Sequence, residues 1–193
     1  MEELVTCEGT VHSIIFQNAE NGYTVLRLLT EEGEVITVVG CIPCVAPGEH
    51  LAVSGVPETH PQHGEQLRAV ELERSLPEEE DEIYDYLSSG ICKGVGPATA
   101  RRIVERFGAE TLDVLEREPE RLTTLKGVTA RKAQEIAESF RQHMGLRRLM
   151  AFLAQYQLPP VLAMELRRQY GDAALEKVRE NPYLLSGEAC GVE

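Results

Sequence analysis

Between residues 4 and 74, apolar and polar positions alternate in short runs rich in β-branched residues. This two-residue period predicts strands over 4–16, 23–29, 35–39, 51–56 and 67–72. Asn21-Gly22, Glu32-Gly33, Pro47-Gly48 and His63-Gly64 mark turns between them. Five short strands with glycine-marked turns predict a small barrel. An OB-type barrel is the natural candidate, with another five-stranded barrel or sandwich as the alternative.

At Pro77 and the acidic run 78–82 the pattern changes to a helical period. Ile83, Tyr84 and Leu87 fit one helix face. Beyond them, helices are separated by Gly and Pro. The expected organisation is α+β multidomain: a small five-stranded OB-like β-barrel over 1–76, then an all-α region. The all-α part divides into a tandem over 77–142 and a further helical region over 143–193.

The helical part repeats. At an offset of 33, Gly94-Val95 falls on Gly127-Val128, Ala100 on Ala133, Ile103 on Ile136 and Phe107 on Phe140. Each copy carries a Lys-Gly-Val ahead of one apolar stripe, Ala100, Ile103, Val104, Phe107 and then Ala133, Ile136, Ala137, Phe140. Two unrelated amphipathic helices would explain the stripes but not the matching tripeptide. The unit is a helix-hairpin-helix. A later match, at an offset of 63, places Gly108, Leu112, Leu115, Pro119 and Leu122 on Gly171, Leu175, Val178, Pro182 and Leu185. Gly127-Val128 then falls on Gly191-Val192, at an offset of 64. A third, truncated helix-hairpin-helix is therefore expected to begin near residue 172. Because it breaks off at its own hairpin, the chain is expected to be a fragment of a longer protein.

The hairpins carry the candidate chemistry. Lys93-Gly94-Val95-Gly96-Pro97 opens the first striped helix. Glycine tolerates positive φ, so the backbone turns tightly with N–H groups outward. Pro97 suits the first helical position, where its missing N–H is not needed. A helix N-terminus adds partial positive charge, and together these suit a phosphate. Such a contact reads the sugar–phosphate backbone and carries no sequence information. The expected DNA-binding residues are Lys93, Gly94, Val95 and Gly96, with Thr99, Arg101 and Arg102 on the helix. The second set is Lys126, Gly127, Val128 and Thr129, with Arg131 and Lys132. Thr129 stands where Gly96 stands in the first hairpin. Its hydroxyl suits a helix cap, whereas left-handed geometry there would cost a β-branched residue energy.

Charge refines this picture. The net charge of −13 argues at first against nucleic acid. Residues 1–76 carry three bases and twelve acids, and residues 77–90 carry six acids and no base. Residues 91–143 carry ten bases and eight acids. Any phosphate contact therefore belongs after residue 90. The 193 residues include no Trp, so the core must be mostly aliphatic. No apolar run approaches the ~20 residues of a membrane span, and the start lacks a secretion signal. A cytoplasmic protein with reduced thiols is expected.

The chain resembles the N-terminal region of RecD-like (RecD/TraA family) DNA helicases. The resemblance rests on Gly9-Thr10-Val11, Asn21-Gly22-Tyr23-Thr24-Val25-Leu26, Pro47-Gly48, Lys93-Gly94-Val95-Gly96-Pro97-Ala98-Thr99-Ala100, Phe107-Gly108 and Asn181-Pro182-Tyr183. It covers essentially the whole chain. It implies an OB-like region and helix-hairpin-helix repeats ahead of a superfamily 1 motor that uses ATP and Mg to unwind DNA 5′ to 3′. It also implies a place in DNA repair or recombination. The sequence departs from the family at Leu67, where members often carry an aromatic. No Gly-Lys dipeptide occurs, hence no P-loop. The chain itself is expected to have no catalytic residue, cofactor or metal; its expected partners are DNA and the missing motor.

Two other readings remain open. A stand-alone junction-binding scaffold, like the Holliday-junction-binding subunit of the branch-migration complex, also joins an OB barrel to two helix-hairpin-helix units. A protein-interaction module would keep the hairpins as structure only. Cys41-Ile42-Pro43-Cys44, with His60 and His63, is the one zinc-like constellation, but Pro43 fits a simple turn and a zinc site needs about four ligands. With only Phe16 and Tyr23 as aromatics and a charge of −9, the barrel is expected to meet protein rather than grip DNA.

Overall fold

A computed structural model describes residues 4–185. Strands β1 (Val5–Gln17), β2 (Tyr23–Thr30), β3 (Val35–Cys41), β4 (His50–His60) and β5 (Gly64–Ser75) close into a barrel. Its order is β1-β2-β3-β5-β4, with β4 returning to β1. Only β3 and β5 run parallel among these pairs. All five expected strands form, and the last two extend into a tight hairpin around residues 61–63.

The sequence alternation becomes the barrel wall. In β2, Thr24, Leu26 and Leu28 are buried while Tyr23, Arg27 and Leu29 face out. The core gathers Val11, Leu26, Leu28, Val38, Leu51 and Val53. Leu67 is 5% exposed and belongs to this core, so the position at which the sequence departs from the family pattern faces inward. Two register shifts in β1, after Val11 and after Ile14, bend the strand around the barrel.

The helical part contains α1 (Glu80–Tyr86), a π turn (Leu87–Ile91), α2 (Pro97–Phe107), α3 (Thr111–Arg117), α4 (Ala130–Ala154), α5 (Val161–Tyr170) and α6 (Ala174–Glu180). Glu80, Asp81 and Glu82 occupy the first turn of α1, where carboxylates suit the helix dipole. Ile83 and Leu87 are buried as expected, but the fully buried tyrosine is Tyr86 rather than Tyr84. Tyr84 lies half-buried under the Arg101 guanidinium, 5.2 Å from its ring centroid. The i, i+3, i+4 face is thus Ile83, Tyr86 and Leu87, and the Tyr86 hydroxyl reaches His143 Nε2 at 2.5 Å.

Helix α4 runs unbroken through residues 142 and 143. Its first half gives Ala133, Ile136, Phe140 and Met144 to one core, and its second half gives Leu149, Met150 and Leu153 to another. What changes near residue 143 is the core that the helix serves.

The barrel and helices meet on a buried ionic cluster. Glu49, fully buried, accepts from Arg74 of β5 through both carboxylate oxygens and from Arg147 of α4 at 2.6 Å. Arg74 also donates to the Pro43 and Cys44 carbonyls. Among the described residues, no buried side-chain nitrogen or oxygen lacks a hydrogen-bond partner. No helix among them is long and apolar enough to cross a membrane.

Candidate nucleic-acid interface

The two expected hairpins are the same turn built twice. Gly94 has φ +86° and Gly127 has φ +82°. Val95 N–H closes the first turn on the Cys92 carbonyl at 3.2 Å, and Val128 N–H closes the second on Leu125 at 3.1 Å. The helix that follows starts alike in each: Ala100 N–H to Gly96 at 2.8 Å, Ala133 N–H to Thr129 at 2.9 Å.

The positions after the turn divide by role. Val95 and Val128 are 5% and 6% exposed, and their N–H groups are spent within the turns. They anchor the hairpins and hold no donor toward solvent. Thr99 is likewise turned inward. Gly96 has φ −96°, an extended conformation open to any residue, so Thr129 at φ −76° avoids the left-handed cost anticipated for it. Thr129 caps α4 as its hydroxyl suggested, its Oγ1 accepting the Lys132 N–H at 3.2 Å. Helix α2 has no side-chain cap, and its N-terminal groups face outward at exposed Gly96, Pro97 and Ala98.

A pair of crossed hydrogen bonds holds the hairpins together. Lys93 N–H donates to Ser139 Oγ of α4 at 2.8 Å. Arg102 Nη1 of α2 donates to the Lys126 carbonyl at 2.6 Å. Lys93 and Lys126 are equivalent positions, so each hairpin tip is tied to the helix that follows the other. Lys93, Gly94, Gly96, Lys126 and Gly127 are all exposed at the two tips. Arg101 and Arg102 are exposed on α2, while Arg131 pairs with Glu135 at 3.0 Å and Lys132 is half-buried. Ser139 carries no sequence signal for this part, since its role exists only once α4 packs beside the first hairpin. Cys92, buried at the base of that hairpin, has its thiol pushed up to about 12 by burial.

The later repeat is also visible. Gly108 (φ 54°, ψ −135°) and Gly171 (φ 60°, ψ −139°) end α2 and α5 alike, and each leads through one 3₁₀ turn into a seven-residue helix. The correspondence starts before residue 172. Extended backward, the offset of 63 places Gln157 on Gly94, and Gln157 has φ +57°. A third hairpin therefore lies between α4 and α5. Its lack of glycine hid it from motif reading. The expected hairpin at Gly191-Val192 lies outside the described residues.

Comparison with known proteins divides the chain into three consecutive matches. Residues 4–77 match the OB-fold domain of ATP-dependent DNA helicase YrrC, residues 89–142 a SAM-like helix-hairpin-helix tandem, and residues 142–193 the HHH domain of ATP-dependent RecD2 DNA helicase. The ATP-dependent RecD2 DNA helicase of Deinococcus radiodurans is 28% identical over 185 residues, covering 92% of this chain and 26% of the relative. The chain thus spans about a quarter of that relative's length. Among solved structures, a chain of the S. pombe Stn1–Ten1 complex matches 37% of this chain and 57% of its own length, at 21% identity and a TM-score of 0.31.

Proposed function

We propose that this chain, whose domains are those of the N-terminal region of RecD-like DNA helicases, is a non-catalytic grip on DNA that holds the sugar–phosphate backbone without reading sequence. The motor that burns ATP with Mg and moves 5′ to 3′ belongs to another part of the parent protein. The crossed bonds Lys93–Ser139 and Arg102–Lys126 carry this reading. They fix the two glycine turns relative to each other, each with an exposed lysine at its tip. Backbone N–H groups and lysines held in that way suit successive phosphates.

The test is a titration of the chain with duplexes of unrelated sequence across a salt series. Similar affinities for all duplexes are expected, with log K falling by about 0.9 per phosphate contact. Lys93→Ala with Lys126→Ala should reduce the slope by about 2. An unchanged slope and affinity in a folded double variant would overturn the assignment.

We read the barrel as a docking face for the motor or another protein. Phe16 and Tyr23, with ring centroids 6.4 Å apart, are exposed on its surface, as are Ile15 and the paired Leu29 and Val35. The acidic charge of residues 1–76 opposes a phosphate partner there. In the intact chain, Phe16→Ala with Tyr23→Ala should leave DNA affinity unchanged; a loss would make this face a base-stacking one.

A further inference from the structure

We infer that the third hairpin, between α4 and α5, is a stacking platform for unpaired nucleic-acid bases, with Tyr156 as its contact residue. This rests on the reading of the first two hairpins as nucleic-acid sites.

The backbone makes the case first. Lys93, Lys126 and Tyr156 are equivalent positions, each just before the residue that takes positive φ: Gly94, Gly127 and Gln157. Left-handed backbone costs a non-glycine residue about 1 kcal/mol. The positive φ is kept without glycine, although the closure differs: Gln157 N–H bonds the Ala154 carbonyl and Leu158 N–H the Leu153 carbonyl, five residues back, where Val95 and Val128 bond the residue three before. Leu158, at the position of Val95 and Val128, packs against the core below. The position before the positive-φ residue, a lysine twice, is an aromatic ring the third time.

The chemistry of the tip differs accordingly. Pro159 stands where Gly96 stands, and Pro160 where Pro97 stands, so one more backbone donor is gone. A phosphate finds fewer N–H groups here. Tyr156 is 62% exposed, and its ring meets Phe152 edge-on with centroids 5.3 Å apart. The Arg179 guanidinium of α6 sits 5.6 Å from the Phe152 ring centroid. An exposed ring braced by a second aromatic, with a cation behind it, is what sequence-tolerant stacking on single strands uses. Helix α4, 25 residues long, separates this tip from the second hairpin by about 37 Å at 1.5 Å per residue. The first two hairpins and the third therefore engage different stretches of one nucleic acid, duplex backbone at one end and unpaired bases at the other.

The chain contains no Trp, so Tyr156→Trp installs a sole indole reporter. The experiment titrates this variant, Tyr156→Ala and Tyr156→Phe with oligothymidylate and with blunt duplex. Oligothymidylate is expected to quench the indole at saturation. Tyr156→Ala should lose roughly tenfold in affinity for oligothymidylate while Tyr156→Phe retains it, and duplex affinity should stay unchanged in both. Duplex binding with no quenching and no loss in Tyr156→Ala would overturn the platform and leave the duplex grip standing. Quenching only by added motor polypeptide would make the hairpin a protein contact and overturn the platform. No binding to either nucleic acid would overturn both readings.

Discussion

Arg102 of α2 donates to the backbone carbonyl of Lys126 at 2.6 Å, tying the first helix-hairpin-helix to the tip of the second. The partner is a backbone oxygen, so its position depends on the turn and not on the lysine side chain. The reciprocal bond, Lys93 N–H to Ser139, completes the pair. Arg102→Ala should raise amide-hydrogen exchange across 125–129 and leave 92–96 protected; Ser139→Ala should do the reverse. Equal changes in both hairpins with either variant would show that the cross-ties are not the restraint.

The glycines of the first hairpin should respond unequally to alanine. Gly94→Ala keeps φ +86° and should destabilise the chain by about 1 kcal/mol. Gly96 is extended, and a Cβ there meets nothing within 4 Å. Gly96→Ala should stay within about 0.5 kcal/mol of wild type. Urea melts of the two variants decide it, and equal midpoints would contradict the assigned dihedrals.

Thr129→Ala removes the cap on α4 and should cost about 1 kcal/mol, whereas Thr129→Gly should cost only a few tenths beyond glycine's own flexibility. Denaturation midpoints of the pair test whether Oγ1 or the backbone sets this start.

The buried cluster at the junction of barrel and helices should be unforgiving. Glu49→Ala leaves Arg74 and Arg147, both largely buried, without their carboxylate. The expected loss is about 3–5 kcal/mol, as for breaking one partner of a buried ion pair. A calorimetric scan that shows a small shift in midpoint would mean that the cluster is hydrated in solution.

His143 predicts an acid-labile fold. Burial pushes its pKa down to about 4, below its ordinary 6.5. The unfolded chain therefore takes up a proton first as pH falls. The stability held above pH 6.5 is lost progressively down to pH 4, by on the order of 3 kcal/mol. His143→Gln should flatten that part of the stability profile. A profile with the same slope between pH 6.5 and 4 would assign the loss to other groups.

The five strands, the change of period at Pro77 and the two glycine hairpins are local properties. Alternation, turn residues and an amphipathic stripe each act over a few residues, so the sequence alone determined them. The face of α1 was less legible, because Tyr84 and Tyr86 are the same residue type and only packing against the helical core decides which one is buried. The cap at Thr129 was legible, but the left-handed cost expected there was not real: equivalence with Gly96 does not say which glycine of the hairpin uses left-handed backbone. The third hairpin carries its turn in Gln157, a residue with no turn signature, and packing around Leu158 enforces it. Tertiary structure alone decided the Glu49, Arg74 and Arg147 cluster and the Lys93–Ser139 and Arg102–Lys126 ties. These join residues 24 to 98 positions apart; local pattern holds no record of them, because each bond exists only after the elements that carry it have packed.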